Sequence, residues 1–369
     1  ALPPVAGDGS ATAPRLVDAA RPDLIGEALV LRVWARDDVS TAVQDDHVAR
    51  CWRRAPAATA ETLVRLGQDF GARDAAHAPD PDADPAPIRW LDRRVEAADD
   101  ADLERLTAAL PRATVNLREV AERAESRLIA RLEAAPEPDR LRLATLRGNR
   151  AVRLADLGRP DLARADEVAA RDLFRALVEV DAARFEPLLA SALNNLSVTE
   201  SHLGRREDAL QASQEAADLY RRLAQDRPDA FLPDLAMALH NLGMMRSNLG
   251  RREDALQASE EASELYRRLA HDRPDAFLRD LATALGARGS IFRAVDDPAS
   301  AARCFREGVE VLSAPFQRLP AAFAGTMVAL VQDYASACDA AGIAPDDDLL
   351  APLVPALKPF IRQPGSDAG

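Results

Sequence analysis

The chain has 369 residues, 47% apolar but only 4% aromatic, and its 60 acidic and 47 basic side chains give a formal charge of −13. That balance argues against nucleic acid as the main partner, because a phosphate backbone calls for a basic face. No apolar run reaches membrane length and no signal peptide is recognisable, so no membrane partner is expected.

In chain order, residues 1–20 are rich in Pro, Gly and Ala and read as a loose lead-in. Residues 21–77 read as a helical cap. Pro22 opens a helix with Leu24, Ile25, Ala28, Leu29, Leu31 and Val33 as its apolar positions, and residues 51–71 give one or two more. The Pro/Asp-rich stretch 78–87 lacks the Gly turn and closing Glu of a calcium loop, and reads as a solvated linker. Residues 88–145 are helical again. Trp90, Leu91 and Val95 share one face, a helix at 99–110 ends at Pro111, and 113–134 is amphipathic through Leu117, Val120, Ala124, Leu128 and Leu132.

Residues 146–330 repeat. ALNNLSVTESHLGRREDALQASQEAADLYRRLAQDRPDAFLPDLAM is followed by ALHNLGMMRSNLGRREDALQASEEASELYRRLAHDRPDAFLRDLAT, a period of about 46 residues. Self-similarity at such a period marks a solenoid, in which each unit buries its apolar face against its neighbours. Four units are expected, at 146–191, 192–237, 238–283 and 284–330, the outer two degraded. Each reads as two antiparallel helices. In the third unit the first helix runs from about Phe231 to Leu249, with Leu235, Leu239, Leu242 and Met245 in line. Gly250 caps it, and Ala255, Leu256, Ala262, Leu265 and Leu269 stripe a second helix that Pro274 ends. Residues 331–345 are expected to form a capping helix. In the tail, 346–369, Pro352, Pro355 and Pro359 forbid a long helix. No alternating apolar run suits a strand, so the fold class is all-α.

Leu242-Gly243, Gly250, Ala255-Leu256, Ala262 and Pro274 resemble the tetratricopeptide repeat, with Ser259 where that family carries a large aromatic. The units exceed the usual length of about 34 residues. Together with the LNNL at Leu193–Leu196, this resembles the kinesin-light-chain subtype. The resemblance implies a right-handed superhelix of helix pairs whose first helices line a concave face. A second resemblance rests on the order of three phrases. RPDLIGEALV, then LPRATVNLREVAERAESRLIARL, then the repeats, is similar to the C-terminal part of actinobacterial STAND ATPases, relatives of NLR immune receptors. In that family an effector and a P-loop ATPase precede a tetratricopeptide sensor. No GxxxxGK[ST] occurs here, and the chain opens on Ala1. The expectation is a sensor region whose NTPase and effector domains belong to the same native polypeptide or to another chain, in antiphage defence or signalling. The alternative is a free-standing adaptor or scaffold.

No catalytic or metal constellation is present, and no cofactor is implied. His47, His77, His202, His240 and His271 make no HExxH and have no nucleophile partner. Cys51, Cys304 and Cys338 are scattered, as suits reduced thiols in a cytosolic protein. Lys358 is the only lysine, and the pairs Arg205-Arg206, Arg221-Arg222, Arg251-Arg252 and Arg267-Arg268 read as surface ion pairs. By family position the ligand-binding face carries Gly148 and Val152, then Asn194, Val198 and Ser201, then His240, Met244 and Ser247, then Ser290 and Arg293. Asn149, Asn195 and Asn241 recur beside this row. Two readings stay open for them: amides that hold a peptide backbone, or a ladder that ties adjacent repeats together. The expected partner is a protein or peptide, and self-association is open.

Overall fold

The computed structural model describes residues 39–70, 85–111 and 114–360, and every regular element in them is helical. The helix expected over residues 20–36, His77 and the residues from 361 on lie outside them. So does most of the expected linker, although α3 already begins at Ala86 within its assigned range. Two compact units divide the chain after Arg159.

The first unit holds α1 (Thr41–Arg54), α2 (Pro56–Phe70), α3 (Ala86–Ala97), α4 (Asp100–Ala109), α5 (Arg118–Glu133) and α6 (Arg140–Asp156). Their apolar stripes meet in one core, from Val48 and Trp52 through Trp90, Leu91 and Leu106 to Val120 and Leu128. Helices on both sides of the Pro/Asp stretch share that core. The Asp99 side chain caps α4 by accepting from the Asp102 N–H at 2.8 Å, and Asp102 accepts from the buried Trp52 indole at 2.8 Å. Helix α5 starts at Arg118, five residues later than the pattern suggests, because 114–117 form a bend and turn that buries Leu117.

The second unit alternates first and second helices of a repeat. Helix α7 (Pro160–Val178) is followed by α8 (Ala182–His202) and α9 (Arg206–Asp226), then α10 (Pro228–Asn248) and α11 (Arg252–Asp272). Then come α12 (Pro274–Ala294), α13 (Pro298–Arg318) and α14 (Pro320–Ala341). Successive helices pack against each other, as a solenoid requires. The turn inside each pair is set by a left-handed residue. Gly204 and Gly250 hold φ of 74° and 71°, which costs glycine nothing, and in the next turn Asp296 takes φ of 63°. The turn between pairs is a single residue, Arg227, Arg273 or Leu319, with φ of −138° each time.

That short turn alters two expectations. Pro274 does not so much end a second helix as open the next first helix, since a missing N–H costs nothing at that position. Pro228 and Pro320 do the same, so the first helix of the third repeat begins three residues before Phe231. At the far end, one helix (α14) runs through the boundary placed at residue 330, where a repeat was expected to end and a capping helix to begin. Its Pro320 and Phe323 stand in register with Pro274 and Phe277. The tail after it is ordered into α15 (Asp347–Leu350), α16 (Val354–Leu357) and a 3-10 turn, with Leu353 and Leu357 buried against the final core. Asp346 anchors it by pairing with Arg306 at 2.8 Å and donating its N–H to the Tyr334 hydroxyl at 3.0 Å.

Two features repeat in three dimensions. Arg175 pairs with Glu215 at 2.7 Å, Arg221 with Glu261 at 3.0 Å, and Arg267 with Glu307 at 2.8 Å, each tying one second helix to the next. These partners are half-exposed, so each rung contributes little alone. The other feature explains the missing aromatic. Ser259 stands where α13 carries the buried Phe305, and the facing glycines on the first helices differ accordingly. A Cβ at Gly289 would lie 2.8 Å from the Phe305 ring, whereas one at Gly243 would meet the Ser259 backbone at 3.3 Å. Gly289→Ala is therefore expected to cost about 1–2 kcal/mol: overpacking costs about 1–3, offset by up to about 1 from better helix propensity. A smaller loss is expected for Gly243→Ala, and paired urea titrations check the order.

Candidate functional site

The first helices α8, α10 and α12 place their predicted residues at matching heights. Asn149 lies on α6 in the first unit, with Gly148 and the exposed Val152. On α8, Asn194 is buried, Asn195 exposed, and Val198 and Ser201 half-buried. On α10, His240, Asn241, Met244 and Ser247 are all half-buried, and on α12 Ser290 is half-buried and Arg293 exposed.

Asn241 donates its side-chain amide to Oδ1 of Asn194 at 2.9 Å, a bond from one repeat to the one before. The inter-repeat tie thus joins Asn241 to Asn194 and leaves Asn195 on the open side. One repeat on, the same places hold Ala287 and His240, where no such bond can form. Burial pulls the His240 imidazole below its ordinary range, so it is neutral near pH 7. Arg293 is committed to its own solenoid, donating to Asp333 at 2.7 Å and lying over the Phe305 ring.

The row contains more than the sequence pointed to. Leu188 of α8 and Met237 of α10 are large apolar side chains, each 39% exposed. Tyr220 of α9 is buried, with its hydroxyl near Ser191 and Asp234. Away from this row, a cleft of about 630 Å³ follows α9, lined by Leu210, Gln214, Asp218, Arg222, Arg246 and Arg251. There Arg246 donates to Gln214 at 2.8 Å and Gln214 to Asp218 at 3.1 Å, so its polar groups largely satisfy each other.

Inside the second unit, Glu167 of α7 is buried beside Thr199 and Glu200 of α8. The Thr199 hydroxyl donates to Glu167 Oε1 at 3.1 Å, while Oε2 is buried without a hydrogen bond. Burial pushes the Glu167 carboxyl up to about 7, helped by the nearby charges of Glu200 and Asp166. Glu200 is held by Arg164 and Arg205, each at 2.9 Å. Among the described residues no group of His, Cys, Asp and Glu could hold a metal ion, and no helix is long and apolar enough to cross a membrane.

The family model for the tetratricopeptide repeat matches residues 189–229 and 235–275. These segments are tetratricopeptide repeats. The matches cover most of α8 to α11. No curated protein matches the chain. Among solved structures, BtubC (BKLC) from P. vanneervenii is similar at 18% identity, covering 72% of this chain and 91% of that one, with a TM-score of 0.49. The tetratricopeptide-like repeats of a putative kinesin light chain from Podospora anserina are similar at 12% identity, over 63% of this chain and 99% of that one, with a TM-score of 0.45. PH0952 from Pyrococcus horikoshii, a STAND protein with a tetratricopeptide repeat sensor, is similar at 12% identity over 90% of this chain, with a TM-score of 0.40. The chain spans 55% of the length of that STAND protein.

Proposed function

We propose that the tetratricopeptide solenoid is a non-enzymatic binder that takes a protein or peptide on the open face of its first helices. The supporting observation is the composition of that face. Asn195, Val198, Met237 and Met244 combine an exposed amide with adaptable apolar side chains at successive repeats. We further propose that this is the sensing region of a STAND/NLR-like ATPase in defence or signalling, in the cytoplasm. That assignment rests on the phrase order in the sequence, and ligand binding would bias an NTPase in the same native polypeptide. A free-standing adaptor would use the same face without a switch; a native reading frame with no NTPase or effector would favour it.

The binding test is a pull-down from the native host, with and without phage challenge. It compares the full chain with Asn195→Ala/Val198→Glu/Met244→Glu. These positions are at least partly solvent-exposed, and none of them makes the Asn194–Asn241 bond. The expected result is a partner retained by wild type and reduced at least tenfold by a variant of unchanged melting temperature. Equal capture by both would place binding elsewhere on the chain.

A further inference from the structure

A polar strip crosses the N-terminal halves of the first helices. Asp234 of α10 and Asp280 of α12 are equivalent residues one repeat apart, as are Tyr220 of α9 and Tyr266 of α11. The Tyr220 hydroxyl lies near Ser191 and feels the charge of Asp234, while Tyr266 feels both Asp280 and Asp234. The strip therefore runs Ser191, Tyr220, Asp234, Tyr266, Asp280. Both rings are buried and both aspartates half-buried.

Among the described residues neither aspartate forms an ion pair. Burial pushes both carboxyls up, offset only at Asp280 by its neighbour Arg279. The arginines of these helices are used elsewhere. Arg246 donates to the Asp254 carbonyl and to Gln214, and Arg279 to the Ala322 carbonyl while stacking on Phe323. Arg288 and Arg293 pair with Glu260 and Asp333. The contrast with the second helices is sharp. There each rung matches an arginine to a glutamate, whereas, among the described residues, Asp234 and Asp280 are partly desolvated and make no ion pair, with Arg279 the one cation acting on Asp280. Such a charge costs stability unless a partner supplies the opposite sign. Met237, 39% exposed and within one helical turn of Asp234, offers apolar surface beside it for the stem of a long side chain.

We propose that the open face takes a basic peptide, with two Lys or Arg side chains of the ligand seated on Asp234 and Asp280. This rests on the open face being the binding face. Packed helices lie roughly 8–10 Å apart. An extended peptide of the polyproline type rises about 3.1 Å per residue and returns to the same side every third residue. The two basic residues are therefore three apart in the ligand.

The test is selection of a randomised 12-residue peptide library on the full chain, on Asp234→Asn/Asp280→Asn and on Met244→Glu. Recovered peptides are then titrated by fluorescence anisotropy at low and at about 0.5 M salt, where screening is strong. The expected outcome is enrichment of Lys/Arg pairs three residues apart. Binding should weaken at least tenfold on the double variant and fall with salt. The double variant should melt no lower than wild type, since it removes two poorly solvated charges. Peptides that lack basic residues, or that bind the double variant unchanged, overturn the charge assignment. If such peptides are still blocked by Met244→Glu, the open-face reading stands without it. Peptides indifferent to all three substitutions, or no recovered peptide at all, overturn both.

Discussion

Replacing Arg153 with leucine is expected to lower the stability of the first unit by about 3–5 kcal/mol, the range for breaking a buried ion pair. Arg153 of α6 meets Glu125 of α5 at 3.0 Å with both side chains almost wholly inaccessible, at 5% and 4% exposure. It also donates to the Pro111 carbonyl at 3.0 Å, so it joins two helices to the segment after α4. Burial already pushes the Glu125 carboxyl up, and Arg153 is the largest opposing influence. Without it the carboxylate is left alone in the core and its folded pKa climbs further. The sign follows from linkage: a raised folded pKa gives stability that is present below the unfolded value and is lost as pH rises through the folded one. The deficit of Arg153→Leu should therefore be larger at pH 8 than near 4.5, the ordinary value for that carboxyl. Urea unfolding followed by tryptophan fluorescence reports this unit, in whose core Trp52 and Trp90 are buried. The double variant Glu125→Leu/Arg153→Leu should recover most of the loss. A loss under about 1 kcal/mol in the single variant would mean that water or another cation reaches Glu125.

The all-α class and the paired helices were legible because the repeat imposes them several times over. Gly204 and Gly250, with their downstream prolines and leucine stripes, agree on one register from α8 to α12. Legibility fades where the repeat degrades. Of the phrase RPDAF, only Pro320, Ala322 and Phe323 survive at the start of α14, so the sequence does not show that one helix runs on to Ala341. The asparagines show a second limit. Adjacent residues on a helix point about 100° apart, so the repeated triad is visible in the sequence. Whether Asn194 or Asn195 meets Asn241 depends on helix rotation, and the structure selects Asn194. The arginine ladder was hidden for a related reason: Arg221 reads as a local helix pair, but its rung partner is Glu261 on the next second helix. Asp234 and Asp280 carry no sequence signal, since an aspartate on an amphipathic helix looks solvated until its burial and missing partner are seen.

Glu167→Gln is expected to stabilise the second unit at pH 8 and to leave it nearly unchanged at pH 4. The folded carboxyl sits at about 7 against an ordinary 4.5. That difference corresponds to about 3 kcal/mol at most, at 1.36 kcal/mol per pKa unit. Its causes are burial first, at 6% exposure, with the Glu200 and Asp166 charges adding to it and the Thr199 hydrogen bond opposing it. Because the folded pKa is raised, wild type loses stability as pH climbs from about 4.5 to 7, and the variant has no such proton to release. Glutamine keeps a carbonyl for the Thr199 hydroxyl and removes the charge from an oxygen that has no donor. Relaxation around the amide trims the gain to about 1–3 kcal/mol. Urea midpoints by circular dichroism at pH 4, 5.5, 7 and 8 should diverge inside that window and run parallel above it. A pH-independent difference would mean that Glu167 does not titrate, and a variant less stable at pH 8 would mean that the carboxylate is held by a favourable contact. The two sides of α8 also make the variant a control for binding. Thr199 and Glu200 are buried on its packed side, while Asn195 is exposed. Glu167→Gln should therefore keep its partner in the pull-down that Asn195→Ala/Val198→Glu/Met244→Glu loses, which separates a gain in stability from an effect on the open face.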